Sequence, residues 1–337
     1  MKSGKRIING AKIRLLSSLL LLLIYTGFLA GSEDYDFEKT DPRNLRFIFY
    51  NAENLFDNIN DPGRDDDGFT PESDRHWTRH RLRNKINNTY KALVAAAGFT
   101  VPSIIGLCEV ENKYVLEMLA YGTGFKYRNY KIISRDSPDN RGIDVAVLYR
   151  PEDITIIDTI FRSIVFPFDS LAKTRDIVYI KGITTGKDTL HIFVNHWPSR
   201  WGGQAVTEPY RIHTASVLHS ITDSIFMMDH DANVVIMGDF NDEPDDKSLS
   251  MSLGAKLDYS FPEPGRLYNI SSYPNSQVEG TIKYQGQWFL FDQFIVSGSL
   301  LNGRSALQTS PCSARVFSEG FLLVPDDSWF GYKPFRT

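Results

Sequence analysis

From residue 45 onward the chain reads as short apolar runs that stop abruptly at polar residues. β-type runs fall at 45–50, 103–109, 130–134, 143–149, 153–158, 176–183, 190–195, 233–238 and 288–296, with a further one predicted at 314–323. Most are apolar at consecutive positions, the pattern of strands covered on both faces. Two segments carry a helical period instead. Residues 77–97 place Leu82, Ile86, Tyr90, Leu93 and Val94 on one side and stop at Gly98. A second helix is predicted over 206–228. Residues 57–76, acidic with Gly and Pro, are predicted as a long loop. Many strands with only two or three long helices fit two packed sheets flanked by helices better than one doubly wound sheet. Without a repeat or composition shift, residues 45–337 are predicted as a single α/β domain.

The chemistry gathers where the strands break. Apolar runs meet Asn51, Glu109, Asn195-His196, Asp239-Phe240-Asn241 and Asp292-Gln293. Any one of these is ordinarily a solvated group or a turn cap. Five together are expected to converge on one rim of the packed sheets. Buried acids require compensation, which a divalent cation supplies. The donors are Glu, Asp and Asn oxygens, which suit Mg²⁺ or Mn²⁺ rather than zinc. Phosphate-ester hydrolysis requires neutralised phosphoryl oxygens, a positioned water and help for the leaving oxygen. Glu109 is the expected metal ligand and Asp239 the acceptor of the water proton, with Asn241 beside it. Asn195 and His196 are expected to donate to the transition state.

The runs FYNAENL at 49–55, IIGLCEVEN at 104–112, RGIDVAVLYR at 141–150, FVNHWPSR at 193–200, VVIMGDFND at 234–242 and FDQFIVS at 291–297 resemble the motifs of the endonuclease/exonuclease/phosphatase superfamily, in its order. The resemblance implies a four-layer α/β sandwich of the DNase I-like type, its two sheets packed, mostly antiparallel and flanked by helices. It also implies a metal held by Glu109, Asn51 and Asp292, and a catalytic set of Asp239, Asn241, His196, Asn195 and Gln293. Arg141 and Arg175 are candidate phosphate contacts. Gln293 departs from the pattern, standing where the family usually has histidine. Glutamine donates a hydrogen bond but carries no proton at neutral pH. His76 and His80 are candidates to supply the missing imidazole.

The first 32 residues differ from the rest. Lys2, Lys5, Arg6, Lys12 and Arg14 precede an uncharged, leucine-rich run at 15–30 and the small residues Ala30-Gly31-Ser32. This reads as a signal peptide, 1–32, followed by a linker, 33–44, and implies a secreted protein, periplasmic or extracellular; an uncleaved membrane anchor is the alternative. Loss of those five basic side chains takes the formal charge from −4 to −9. Such acidity disfavours tight coating of a polyanion but leaves room for a local basic cleft. Cys108 and Cys312 are either a disulfide or two free thiols. The acidic loop at 57–76 is either solvated or a second cation site, with Ca²⁺ as the candidate ion. The expected partner is a phosphate ester, nucleic acid among the candidates, acted on by a monomeric phosphodiesterase. A phosphomonoesterase or lipid phosphodiesterase, or a phosphate-binding protein impaired by Gln293, are the competing readings. Substrate choice is expected to lie in loops at 57–76, 198–209 and 260–287, with Trp197, Trp201 and Trp288 as candidate stacking residues.

Overall fold

Strands apolar on both faces need a cover on each side, and the chain meets that need with four layers. The computed structural model describes residues 44–98, 100–272, 280–303 and 305–335. The expected signal segment, and all of the expected linker except Asn44, lie outside these residues. Among the described residues no helix is long and apolar enough to cross a membrane.

The smaller sheet contains β1 (Phe47–Leu55), β2 (Ile104–Val110), β3 (Lys131–Ser134) and β4 (Asp144–Tyr149) in the order β1-β2-β4-β3. The larger contains β5 (Ile154–Arg162), β6 (Ile177–Thr184), β7 (Thr189–His196), β8 (Asn233–Asp239), β9 (Ala255–Lys256), β10 (Leu267–Asn269) and, after the hairpin of β11 (Ile282–Tyr284) and β12 (Gln287–Phe289), β13 (Asp292–Ser297). Its order is β5-β6-β7-β8-β13-β10-β9. The pairs β1/β2, β7/β8 and β9/β10 are parallel, and the others in these sheets are antiparallel. A short hairpin, β14 (Leu323–Pro325) with β15 (Tyr332–Pro334), follows.

Among the described residues three α-helices cover the sheets: α1 (Arg79–Ala96), α2 (Lys113–Gly122) and α3 (Gln204–Met228). Thr78 caps α1 by accepting from the Arg81 N–H, and Asn112 caps α2 by accepting from that of Val115. Successive residues of one strand serve different layers. On β2, Ile105 and Leu107 pack under α1 and α2, whereas Ile104 and Cys108 pack between the sheets. On β8, Val235 and Met237 face the smaller sheet, whereas Val234 and Ile236 face α3. Gly106 is the close-approach point: a Cβ there would meet Met237 Cε at 2.8 Å and Val194 Cγ1 at 2.9 Å.

Two sequence expectations are corrected. The predicted strand at 314–323 is largely irregular, with a 3-10 turn at Gly320–Leu322 before β14. The predicted run at 288–296 is broken after Phe289, so β12 and β13 belong to different sheets. Asp292 therefore begins a strand rather than ending one. It still reaches the rim, because β13 runs antiparallel to β8 and its start lies against the end of β8. The helix α2, hidden in ten residues, was not predicted. Cys108 is buried and Cys312 exposed, and the two are not joined in a disulfide.

Candidate active site

Strand register carries three polar groups to one line. His196 on β7 pairs with Asp239 on β8, and Asp239 pairs with Asp292 on β13. One residue back, Asn195, Gly238 and Gln293 form a parallel line, on the opposite face by the pleat. Gly238 is required there, since a Cβ would come within 2.5 Å of the Asn195 carbonyl oxygen. Glu109 arrives from the smaller sheet. It sits where the β2 register shifts, between Cys108 and Val110, with φ of 56°. A bulge of this kind re-aims a side chain, here out of the pleat and towards the rim. Glu53 and Asn54 in the irregular end of β1, His76 in the following loop and Asn241 after β8 also have positive φ. Such conformations disfavour ordinary L residues and persist only where their surroundings hold them.

The imidazole is the hub. His196 Nε2 lies 3.9 Å from Glu109 Oε1 and 3.8 Å from Asp239 Oδ2. Burial, together with the charges of Arg175 and Arg141, pushes its pKa well below the usual value, so the ring is neutral. Its Nδ1 is buried with no partner. Asp239 Oδ1 accepts from the Asn241 N–H at 2.9 Å and Oδ2 from Asn51 Nδ2 at 3.0 Å. Burial still pushes the Asp239 carboxyl up to about 6, with the Glu109 charge adding to it. Asp292 is raised well above the usual carboxylate range by burial and then by Asp239. Its Oδ1 is buried without a partner.

These observations fit a divalent cation. Three carboxylates meet at a buried rim, two of them reluctant to ionise, although the Arg175 charge already opposes that reluctance at Asp239. An orphaned carboxylate oxygen points to a missing positive partner. Cys108, His196 and Asp239 also offer ligand atoms within 4.8 Å of one another. Burial and nearby carboxylates push the Cys108 thiol up, leaving oxygen and imidazole as the ready donors.

Not every predicted residue joins this group. Asn241 reaches Asp239 through its backbone, while its side-chain amide donates to the Trp197 carbonyl at 3.1 Å. Asn195 is spent inside the sheet, donating to the Met237 carbonyl and accepting from Trp197 Nε1. Gln293 is placed further from this group. Its amide donates to the Asp242 carbonyl at 2.7 Å and the Leu290 carbonyl at 2.6 Å, and Oε1 accepts from Asn269 at 2.5 Å. With these bonds made and 1% exposure, it is not presented to a phosphate. Arg175 is likewise buried, bonded to Asp139 Oδ2 at 3.1 Å and to the Trp197 carbonyl at 2.5 Å. Arg141 keeps 43% side-chain exposure; its Nε lies 3.7 Å from Asp139 Oδ1, which also accepts from the Arg141 backbone N–H at 3.0 Å. His76 lines a cleft, whereas His80 is exposed beside Asn84. Trp197 is buried and Trp201 is 90% exposed.

Three contributors escaped the sequence reading. Asp139 is buried and joins both arginines; only its place two residues before Arg141 hints at this. Lys85 on α1 is buried, its pKa lowered by burial against the charges of Glu53 and Glu109. Asp242 anchors the turn after β8 through Arg200, the buried Arg211 and Ser248.

Residues 46–337 match the model of the endonuclease/exonuclease/phosphatase family. No curated protein matches the chain. Among solved structures, a functionally unknown conserved protein from Enterococcus faecalis has a TM-score of 0.51 at 14% identity, over 75% of this chain and 87% of that one. An endonuclease/exonuclease/phosphatase family protein from Bacteroides thetaiotaomicron has a TM-score of 0.50 at 16% identity, over 75% and 83%. At such identities the likeness concerns the fold.

Proposed function

Because the chain belongs to the endonuclease/exonuclease/phosphatase family, a family of phosphate-ester hydrolases, we propose that it hydrolyses a phosphodiester at the rim formed by Glu109, His196, Asp239 and Asp292. The single observation that carries this reading is the approach of Glu109 and Asp239 to the buried His196 imidazole, with Asp292 opposite Asp239 on the next strand. Asp239 accepts the proton of the attacking water as the water oxygen bonds to phosphorus and the ester P–O bond breaks. Asn51 and the Asn241 N–H hold its two oxygens and favour the ionised form. His196, as a neutral ring, holds one N–H suited to a phosphoryl oxygen. Glu109 and Asp292, with Asn51 beside them, are the residues that would hold Mg²⁺ or Mn²⁺, and that ion when bound neutralises charge on the phosphoryl oxygens.

A cleft of about 230 Å³, lined by Glu53, Phe69, Asp74, Arg75, His76 and Arg81 among others, opens at the end of β1, where the Glu53 charge also acts on Asp292. Its two arginines are offset by Glu53 and Asp74, and Phe69 is already stacked on Phe56 and covered by Arg75, so the phosphodiester reading rests on the rim rather than on this cleft.

The test is Mg²⁺-dependent cleavage of plasmid DNA, RNA and bis(p-nitrophenyl) phosphate, with Asp239→Asn as the control. Turnover lost in that variant supports the reading. Phosphate release from inositol phosphates, or cleavage of sphingomyelin, without polynucleotide cleavage would move the substrate to the competing classes. No turnover on any of them with Mg²⁺ bound would overturn the hydrolase. Export is proposed from the leading 32 residues, and N-terminal sequencing of protein recovered outside the cytoplasm tests it.

A further inference from the structure

The loop between β1 and α1 holds a second group of acids that the proposed reaction does not use. Ligand oxygens of Asp61, Asp66 and Glu111 lie within 4.8 Å of one another. Asp66 is 1% exposed and Glu111 5%, whereas Asp61 opens to solvent. Local donors hold part of the set in place. The Asp61 N–H donates to Asp66 Oδ2 at 2.9 Å, the Asp57 N–H to Glu111 Oε2 at 2.6 Å, and Asn112 Nδ2 to the same Oε2 at 3.1 Å. One atom is left over. Asp66 Oδ1 is sealed from solvent, and no donor reaches it. Arg64, in the same loop, turns instead to the carbonyls of Ser137 and Asp139. Arg75 lies over the Phe69 ring.

A buried carboxylate oxygen with no donor is expensive, and neighbouring carboxylates of like charge add to the expense. A hard cation removes both penalties. The donors come from an irregular loop and the residue after β2, without the near-ideal octahedral frame that Mg²⁺ demands; Ca²⁺ accepts six to eight oxygens in flexible arrangements. We propose that Asp61, Asp66 and Glu111 form a Ca²⁺ site separate from the catalytic rim. Its effect is mechanical. The ion ties the loop to the chain just past β2, two residues beyond Glu109. The far part of the same loop, stacked through Phe69 on Phe56 and tied by Trp77 Nε1 to the Phe56 carbonyl, forms one wall of the cleft. Bound Ca²⁺ thus fixes the cleft wall without entering the reaction.

The test is Ca²⁺ titration by calorimetry, with thermal unfolding, on the full chain and its Glu109→Gln, Asp61→Asn and Asp66→Asn variants. Glu109→Gln is expected to keep one Ca²⁺ site, and saturating Ca²⁺ to raise Tm by roughly 2–8 °C. Asp61→Asn and Asp66→Asn are expected to weaken Ca²⁺ binding by roughly tenfold or more. Asp61 is exposed, so its variant keeps the test decisive where Asp66→Asn fails to fold. The proposal is overturned if Ca²⁺ leaves wild-type Tm unchanged, if Asp61→Asn binds as wild type does, if Glu109→Gln abolishes binding, or if in Glu109→Gln Mg²⁺ gives the same shift as Ca²⁺ at equal concentration. The readout is binding in a background without catalysis, so a failed hydrolase assay and a failed Ca²⁺ assay remain distinct results.

Discussion

Glu109 and Glu111 flank Val110 at the end of β2, yet they belong to two differently built groups of carboxylates. Glu109 shares the His196 imidazole with Asp239, and its charge and that of Asp239 act on Asp292 from the next strand, with Arg175 and Arg141 acting on the ring. Glu111 meets Asp61 and Asp66 from a single loop, and its oxygen is held by a loop amide and by Asn112. In both groups burial makes ionisation costly: Asp239 is pushed up to about 6 and Glu111 to about 8. The difference lies in what else is present. The rim supplies a proton acceptor held at both oxygens and a buried imidazole close to it, which together suit a reaction. The loop supplies only fixed oxygens, which suit a resident ion.

The largest expected effect separates the two groups outright. Asp239→Asn should lower turnover by roughly 10²–10⁴ while leaving the Ca²⁺-dependent rise in Tm intact. A variant that lost both would show that the groups act as one site. Next comes Gln293→Ala, which removes three buried hydrogen bonds. It should destabilise the fold by about 1–3 kcal/mol, read as a lower urea midpoint, with kcat per folded molecule little changed. A fall in kcat without loss of stability would restore Gln293 to the catalytic set.

The Asp239–Asp292 pair yields a pH prediction. Each carboxyl is harder to ionise in the fold than in the unfolded chain, where a value near 3.8 applies. The folded state therefore binds protons more tightly, and stability declines as pH rises from about 4 through about 6. Metal-free protein should lose Tm across that window. Asp292→Asn should remove part of the loss while impairing Mg²⁺ binding at the rim. If Tm instead rises with pH in metal-free protein, the two carboxylates are compensated by groups other than a cation.

Much of the rim was legible because strand-end chemistry is written locally: an apolar run followed by Glu109, His196 or Asp239 marks both a strand and its exit. The layers were legible for the same reason, since Val234 to Met237 is apolar without alternation. What was hidden depended on pairing. Gln293 and Asp292 are neighbours in sequence, but the pleat sends them to opposite faces, and only the register shows that Asn269, Asp242 and Leu290 enclose the glutamine. The bulge that aims Glu109 has no composition signal. Lys85 reads as a solvated helix residue until α1 is docked, and Asp139 reads as a turn residue until Arg175 reaches it.

The smallest expected effect concerns those two arginines, which the sequence treated alike. Arg175 is 5% exposed at the side chain and 3.1 Å from Asp139, whereas Arg141 is 43% exposed and 3.7 Å away. An exposed pair contributes only about 0–1 kcal/mol to stability, so Arg141 is free to meet an anionic substrate. Removing a buried partner leaves the other charge uncompensated and destabilises the fold. Arg141→Ala should therefore raise KM by roughly 3- to 10-fold, equivalent to about 1 kcal/mol of binding, with kcat and Tm near wild type. Arg175→Ala should lower Tm by several degrees before any effect on KM is read. Steady-state kinetics beside thermal unfolding separates them. Were Arg175→Ala to change KM at unchanged Tm, the buried arginine would be the phosphate contact, and the division between a working rim and its supporting frame would have to be redrawn at Asp139.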